Sequence, residues 1–255
     1  MNVARPRLRF SHALLTNVGK VRQRNEDMAD VDAKRGVYVL ADGMGGHPAG
    51  NVASKTAVVA LIKHIIGKGT RDRPAKLRES VLVANRAVLS LAETDPSMHG
   101  MGTTLCVVWL SQARAYIAHI GDSRIYVIRG DEIHQVTRDH TVVRELIERG
   151  ELTEDSIEAQ RMGHILTQAV GLDPNVEPDL GMIPPQPGDV FLMCSDGLSD
   201  IVDDSAMADI VKSSENLDEA AQRLVQAGLD AGGHDNITVL LVRVDEAFGR
   251  KNKAK

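Results

Sequence analysis

Apolar residues along this chain fall into two kinds of run. The first kind is short and nearly continuous: residues 37–41, 103–110, 113–121, 124–129, 190–194 and 237–244. Runs of this length, bounded by Gly, Asp, Ser and Pro, predict buried β-strands. The second kind steps by three and four. Val52, Ala53, Ala57, Leu61 and Ile65 predict a helix over 49–66, which Gly67 and Gly69 stop. Leu77, Val81, Ala84, Val88 and Leu91 predict a second over 74–93, broken by Asp95-Pro96. Further helices are expected near 204–213 and over 217–229, the latter with Ala220, Ala221, Leu224 and Gly228 on one face.

The spacing between runs bears on topology. Links 111–112, 122–123 and 130–131 are two residues each. A parallel return needs a dozen or more, so these links predict antiparallel neighbours and a meander. Sheets of this kind, with helices outside, suit an α+β fold. Segment 138–171 reads differently. Its first half, RDHTVVRELIERGELTED, is helical in pattern and densely charged, as expected of a surface insertion. Residues 174–188 are a Pro-rich connection. Residues 1–10 read as a loose arm or an edge strand, 11–246 as one domain, and 247–255 as a basic, frayed tail.

Composition narrows the functional classes. With 255 residues, the chain should bury roughly 70–75% of its unfolded surface and needs no staples. A net charge of -5 argues against a general nucleic-acid binder, and 3% aromatic residues argue against a base-stacking platform. Cys106 and Cys194 lie inside apolar runs and read as buried hydrophobes. The basic N-terminus lacks the apolar core of a secretory signal, and no apolar stretch approaches the ~20 residues that span a bilayer. The expected location is the cytoplasm.

Four aspartates occupy one kind of place. Asp42, Asp122 and Asp196 each close an apolar run, and Asp235 opens one. Three are followed at once by Gly or Ser. As separate turn formers they need no further explanation. In an antiparallel fold, however, strand ends and strand starts share a rim, and the four would gather there. Two carboxylates ~4 Å apart repel by about 4 kcal/mol at the effective dielectric near a surface. Divalent cations remove that cost, because Mg²⁺ and its relatives take oxygen ligands in fixed geometry.

The segments TNVGKVRQRNED, ADGMGGHPAGNVAS, GTTL, HIGDSRIYVIR, CSDGLSD and GGHDNITVLLV follow one another over about residues 14–244. Together they resemble the motif series of the bacterial branch of the PP2C/PPM family of metal-dependent Ser/Thr protein phosphatases. The resemblance implies a four-layer α-β-β-α sandwich, with two central antiparallel sheets, flanking helix pairs and a small helical flap near 141–170 that selects substrate. It implies Mn²⁺ or Mg²⁺ as cofactor, two per site with a possible third. Asp42 would bridge two ions, and the backbone carbonyl of Gly43 would join the second. Asp196 and Asp235 would complete the first. Glu26 and Asp27 would act on the second through waters, and Asp122 with Asp196 would hold a third. Arg22 would grip the substrate phosphate, and Asn236 would support the ligands from behind. The implied reaction is hydrolysis of phosphoserine and phosphothreonine by direct attack of a metal-bridging water, without a phospho-enzyme. The implied partners are phosphoproteins and a cognate Ser/Thr kinase, with a monomer as the expected state.

One position departs from the family pattern. Where the animal-type members carry a histidine, this chain has Met44. His47 lies near in sequence, and His140 in RDHT is family-like without an assigned role. Two other classes compete with the phosphatase reading: a non-catalytic binding module of the same fold, which loss of an aspartate would favour, and a hydrolase of small phosphoesters. All the aspartates are present.

Overall fold

The computed structural model of the chain describes residues 7–44, 49–67, 71–153, 156, 158, 162 and 165–246. Its strands are β1 (Leu8–Asn17), β2 (Met28–Asp32), β3 (Val37–Ala41), β4 (Gly43–Met44), β5 (Gly102–Thr103), β6 (Leu105–Leu110), β7 (Ala115–Ile120), β8 (Arg124–Arg129), β9 (Glu132–Gln135), β10 (Asp179–Ile183), β11 (Val190–Cys194) and β12 (Ile237–Glu246). The helices are α1 (Ala49–Ile66), α2 (Arg73–Thr94), α3 (Val142–Glu148), α4 (Asp196–Ser199), α5 (Asp204–Ser213) and α6 (Leu217–Asp230).

Two five-stranded antiparallel sheets form the centre. One runs β1-β12-β11-β8-β9, the other β10-β7-β6-β3-β2, and β4 pairs with β5 apart from both. The continuous apolar runs are explained by burial on both faces. In β3, Tyr38 and Leu40 point into the layer between the sheets, while Val37, Val39 and Ala41 pack against α1 and α2. In β12, Leu240 and Val242 enter the central layer, and Val239 and Leu241 meet α5 and α6. A period-two strand carrying apolar residues on both sides requires a layer on each. The expected α-β-β-α sandwich is therefore formed, with α1 and α2 on one outside and α5 and α6 on the other.

The meander is only partly formed. β6 pairs with β7, and β8 with β9, as the short links predict. β7 and β8 do not pair. The three-residue link Gly121–Ser123 carries the chain from one sheet to the other, where β8 joins β11 and β9. The sequence expectation fails here because a short link also fits a corner between stacked sheets. Gly121 makes the corner possible. It has φ +102°, and a Cβ there would lie 2.7 Å from Cβ of Thr104. Three strands were not expected: β2, the two-residue β4 directly after Asp42, and β10 within the Pro-rich connection. Residues 8–10 belong to β1, an edge strand. In the charged insertion α3 is present, N-capped by Thr141, whose Oγ1 accepts from Arg144 N–H at 3.1 Å.

Candidate metal centre

The corner residues build the site. Asp42 leaves β3 and is stapled at once to the GTT segment: its N–H donates to Thr104 Oγ1 at 2.9 Å, and its carbonyl accepts from Thr104 N–H at 2.8 Å and Thr103 Oγ1 at 2.7 Å. Thr104 Oγ1 also shares a 2.7 Å hydrogen bond with Ser123 Oγ. The backbones that carry Asp42 and Asp122 are thus linked through two buried hydroxyls, those of Thr104 and Ser123. Gly43 follows Asp42 in β4 because nothing larger fits. A Cβ there would lie 2.2 Å from the Gly50 carbonyl at the start of α1.

The other acidic residues arrive from two further segments. Asp196 begins α4 directly after β11. Asp27 precedes β2, and its Oδ2 accepts from Thr238 Oγ1 at 2.6 Å and Ser195 Oγ at 2.9 Å. Glu26 lies beside Gly50, where a Cβ would come within 2.4 Å of Glu26 Oε2. Asn236 clamps the polar 18–26 loop. Its Oδ1 accepts from Glu26 N–H at 2.8 Å, and its Nδ2 donates to the carbonyls of Val18 and Arg24, each at 2.9 Å. Arg22, half exposed on that loop, reaches Asp235 Oδ2 with Nη2 at 2.6 Å.

Electrostatics show that these groups converge. Burial raises the Asp42 carboxyl well above the usual range, and the charges of Asp27, Asp196, Asp122 and Asp235 raise it further. Asp196 is raised by burial and then by Asp122, Asp200, Asp235 and Asp27. Asp122 is pushed up to about 7, by burial and then by Asp200 and Asp139. Asp27 rises to about 6 through burial, against the two hydroxyl donors that favour its charged form. Glu26 is raised by burial, which outweighs Arg22. Burial works against the Arg22 guanidinium, but Asp235, Asp196 and Glu26 hold its pKa above normal.

The four strand-end aspartates, and Asp27 with them, therefore lie close enough for charge within the group to raise the pKa of Asp42 and Asp196. All the donors are oxygens, the set that hard divalent cations prefer. Asp27 Oδ1 and Asp196 Oδ1 are buried and have no hydrogen-bond partner among the described residues. Buried acceptors are rarely left so, and a cation would satisfy both. The residues present fit divalent ions.

Sequence reasoning missed the hydroxyl cradle. Thr103, Thr104, Ser123, Ser195 and Thr238 are each at most 3% exposed and hold the acidic segments in place. A signal existed: each is a hydroxyl residue at a strand end or inside an apolar run, where a polar side chain needs a partner. Met44 pairs with Gly102 across β4 and β5 and offers no titratable group. His47 lies outside the described residues. His140 is buried and accepts from Gly121 N–H at 3.2 Å.

Comparison with known proteins gives consistent matches. The family model "Protein phosphatase 2C" matches residues 8–237. The protein phosphatase PhpP of Streptococcus pneumoniae serotype 2 is 41% identical over 242 residues, which covers 92% of this chain and 97% of that protein. The crystal structure of the Mycobacterium tuberculosis serine/threonine phosphatase PstP/Ppp superposes with a TM-score of 0.87 at 36% identity, over 93% of this chain and 99% of that one. A structure of the PstP catalytic domain in complex with two manganese ions gives a TM-score of 0.84 at 37% identity, over 94% and 100%.

Proposed function

The chain belongs to the protein phosphatase 2C family, and from that premise we infer that it is a metal-dependent serine/threonine protein phosphatase. The observation that carries this reading is the convergence of five aspartates whose charges disfavour one another, with two buried oxygens left over. We assign Asp42, the Gly43 carbonyl, Asp196 and Asp235 as ligands of two ions, Mn²⁺ or Mg²⁺, and Asp122 with Asp196 as holders of a third. The relative solved with two manganese ions supports the first two of these. When bound, such ions supply an activated water and offset the phosphoryl charge.

The chain's own residues do the rest. Thr103 and Thr104 fix the Asp42 backbone, so the strand end that carries its carboxylate stays in place when a dianionic substrate approaches. Ser195 and Thr238 hold Asp27 through one oxygen and leave the other facing the site. Arg22 is exposed and planar, and it can bind two phosphoryl oxygens at once, which a lysine cannot copy. Its contact with Asp235 would open as phosphate enters. Asn236 holds the loop that presents Arg22, so it orients substrate without touching it. Met44 cannot donate a proton, so the leaving hydroxyl takes its proton from another source.

The substrates we assign are phosphoserine and phosphothreonine proteins, with a cognate kinase as the source of the phosphate. The catalytic unit we assign runs from the start of β1 to residue 246, with the segment near 141–170 as its selecting flap. Among the described residues no helix is long and apolar enough to cross a membrane. We place the enzyme in the cytoplasm as a monomer.

The test is hydrolysis of a phosphothreonine peptide and of para-nitrophenyl phosphate with Mn²⁺, Mg²⁺ or EDTA, in wild type, Asp42→Asn and Asp196→Asn. Metal-dependent turnover that collapses in both variants is expected. No turnover by folded, metal-loaded wild type on any phosphopeptide would favour the binding-module reading instead.

A further inference from the structure

A second cluster of ligating side chains lies away from the carboxylate rim. His119 on β7 and Asp179 on β10 are directly opposite in the antiparallel register. His140 reaches the same place from the segment after β9. One ligand atom from each of the three side chains lies within 4.8 Å of the others. Both imidazoles are 1% exposed. The Asp179 side chain is half exposed, so the cluster opens to solvent through a carboxylate.

The hydrogen bonds define which atoms are free. His119 Nε2 lies 2.9 Å from the Ser123 carbonyl, which can only accept, so the proton sits on Nε2. Its Nδ1 keeps a lone pair and, among the described residues, has no partner. Burial, and then the neighbouring His140, push the His119 pKa down to about 4, so at neutral pH no proton occupies that lone pair. His140 Nδ1 accepts from Gly121 N–H, so its ring proton is on Nε2; that nitrogen lies 3.2 Å from Asp179 Oδ2, yet the two are not aligned as a hydrogen bond, and among the described residues Nε2 has no hydrogen-bond partner. Two buried nitrogens left in this way cost more than simple packing explains. The spacing has a different explanation. Ligands held at about 2.0–2.1 Å around a tetrahedral Zn²⁺ stand roughly 3.3–3.4 Å apart; the His140–Asp179 separation of 3.2 Å matches that spacing, and the third ligand atom lies within 4.8 Å of both.

We propose that His119 Nδ1, His140 Nε2 and Asp179 form a second metal site, for a transition-metal ion of the Zn²⁺ type, separate from the oxygen-only rim. Imidazole nitrogens suit such ions, whereas the carboxylate rim suits Mg²⁺ and Mn²⁺. The Ser123 carbonyl on His119 is the outer support that metal-bound histidines ordinarily have. A water would fill the fourth position on the solvent side.

One contact must open for the ion to enter. Gly121 N–H donates to His140 Nδ1 at 3.2 Å. A histidine that ligates through Nε2 carries its proton on Nδ1, so this bond is given up. Gly121 starts the corner that carries Asp122, so occupancy of the second site is felt at the rim.

The test uses the full chain, freed of metal and returned to excess Mg²⁺. Zn²⁺ is titrated by calorimetry, and the one-equivalent sample is examined by zinc-edge X-ray absorption. The expected result is a single added Zn²⁺ with two imidazoles in its shell. Asp179→Asn, an exposed change that leaves the core intact, should weaken Zn²⁺ by at least about tenfold. His119→Gln should remove one of the two imidazoles from the zinc shell. No Zn²⁺ uptake in excess Mg²⁺, an oxygen-only shell, or an affinity unchanged by Asp179→Asn would overturn the proposal. None of these readouts depends on turnover, so they stand or fall separately from the phosphatase reading.

Discussion

The carboxylate rim and the base of the charged insertion both concentrate charge, but in opposite ways. At the rim, Asp42, Asp122, Asp196, Asp27 and Asp235 face one another, and most of their carboxyls are held above their ordinary pKa. At the insertion's base Asp139, Glu145 and Glu148 each have an arginine partner. Asp139 takes Arg124 through both carboxylate oxygens, with Nε and Nη2 at 2.7–3.2 Å. Glu148 takes Arg138 and Arg144, whose hydrogen bonds draw its pKa down to about 2. The second region is electrically complete within the protein. The first is complete only with something positive added. That difference separates charge that organises the fold from charge kept for chemistry.

The sharpest way to break the comparison is to neutralise the rim. Asp42→Asn should reduce turnover by about 10²-fold or more, since metal stabilisation of transition-state charge is worth several kcal/mol. The same variant should unfold at a higher temperature than wild type in EDTA, because a buried repulsive charge is gone. Activity assays and EDTA melting curves together check this. If melting in EDTA fell as well, the rim would be structural, like the insertion's base.

Neutralising the paired region should do the reverse. Arg124→Met leaves the part-buried Asp139 with only the Gln135 amide as donor among the described residues, and breaking a fully buried pair costs about 3–5 kcal/mol, which bounds the loss from above. Urea unfolding should show the loss with or without Mn²⁺.

Much of this contrast can be read in the sequence, and part of it cannot. The rim is legible because each apolar run stops at an aspartate, and the strand period fixes where that residue lies. The hydroxyls that hold the rim are hidden because Thr238 sits inside an apolar run and looks like a tolerated polar residue. The crossing at Gly121–Ser123 is hidden because link length does not say which sheet the next strand joins. That choice is made by Thr104 packing on Gly121, a contact between distant segments. β10 is hidden because Asp179 to Met182 are exposed and carry no alternation.

pH sharpens the comparison with a smaller effect. Asp27 and Asp122 have folded pKa values of about 6 and about 7, above the unfolded carboxylate near 3.9. A raised folded pKa means that the folded state binds the proton more tightly. Their contribution is fully present below about pH 4 and is lost as pH rises through 6 to 7. In EDTA the melting temperature should fall from pH 5 to pH 8. Divalent cations need ionised ligands, so saturating Mn²⁺ should remove or reverse that slope. A melting temperature that climbed over this range in EDTA would contradict the electrostatic account of the rim.

The smallest effect is expected at the exposed edge of the insertion. Glu148 is bound by Arg138 and Arg144, but all three side chains are more than a third exposed. Water and salt screen such a cluster, and exposed pairs contribute roughly 0–1 kcal/mol each. Glu148→Gln should therefore shift the urea midpoint only slightly, and the shift should shrink further at about 1 M salt, where the screening length is about 3 Å. Arg124→Met should keep more of its effect in the same salt, because both side chains of that pair are less than a quarter exposed. If both variants lost their effect together, the insertion's base would owe its stability to surface attraction rather than to the Arg124–Asp139 pair beneath it.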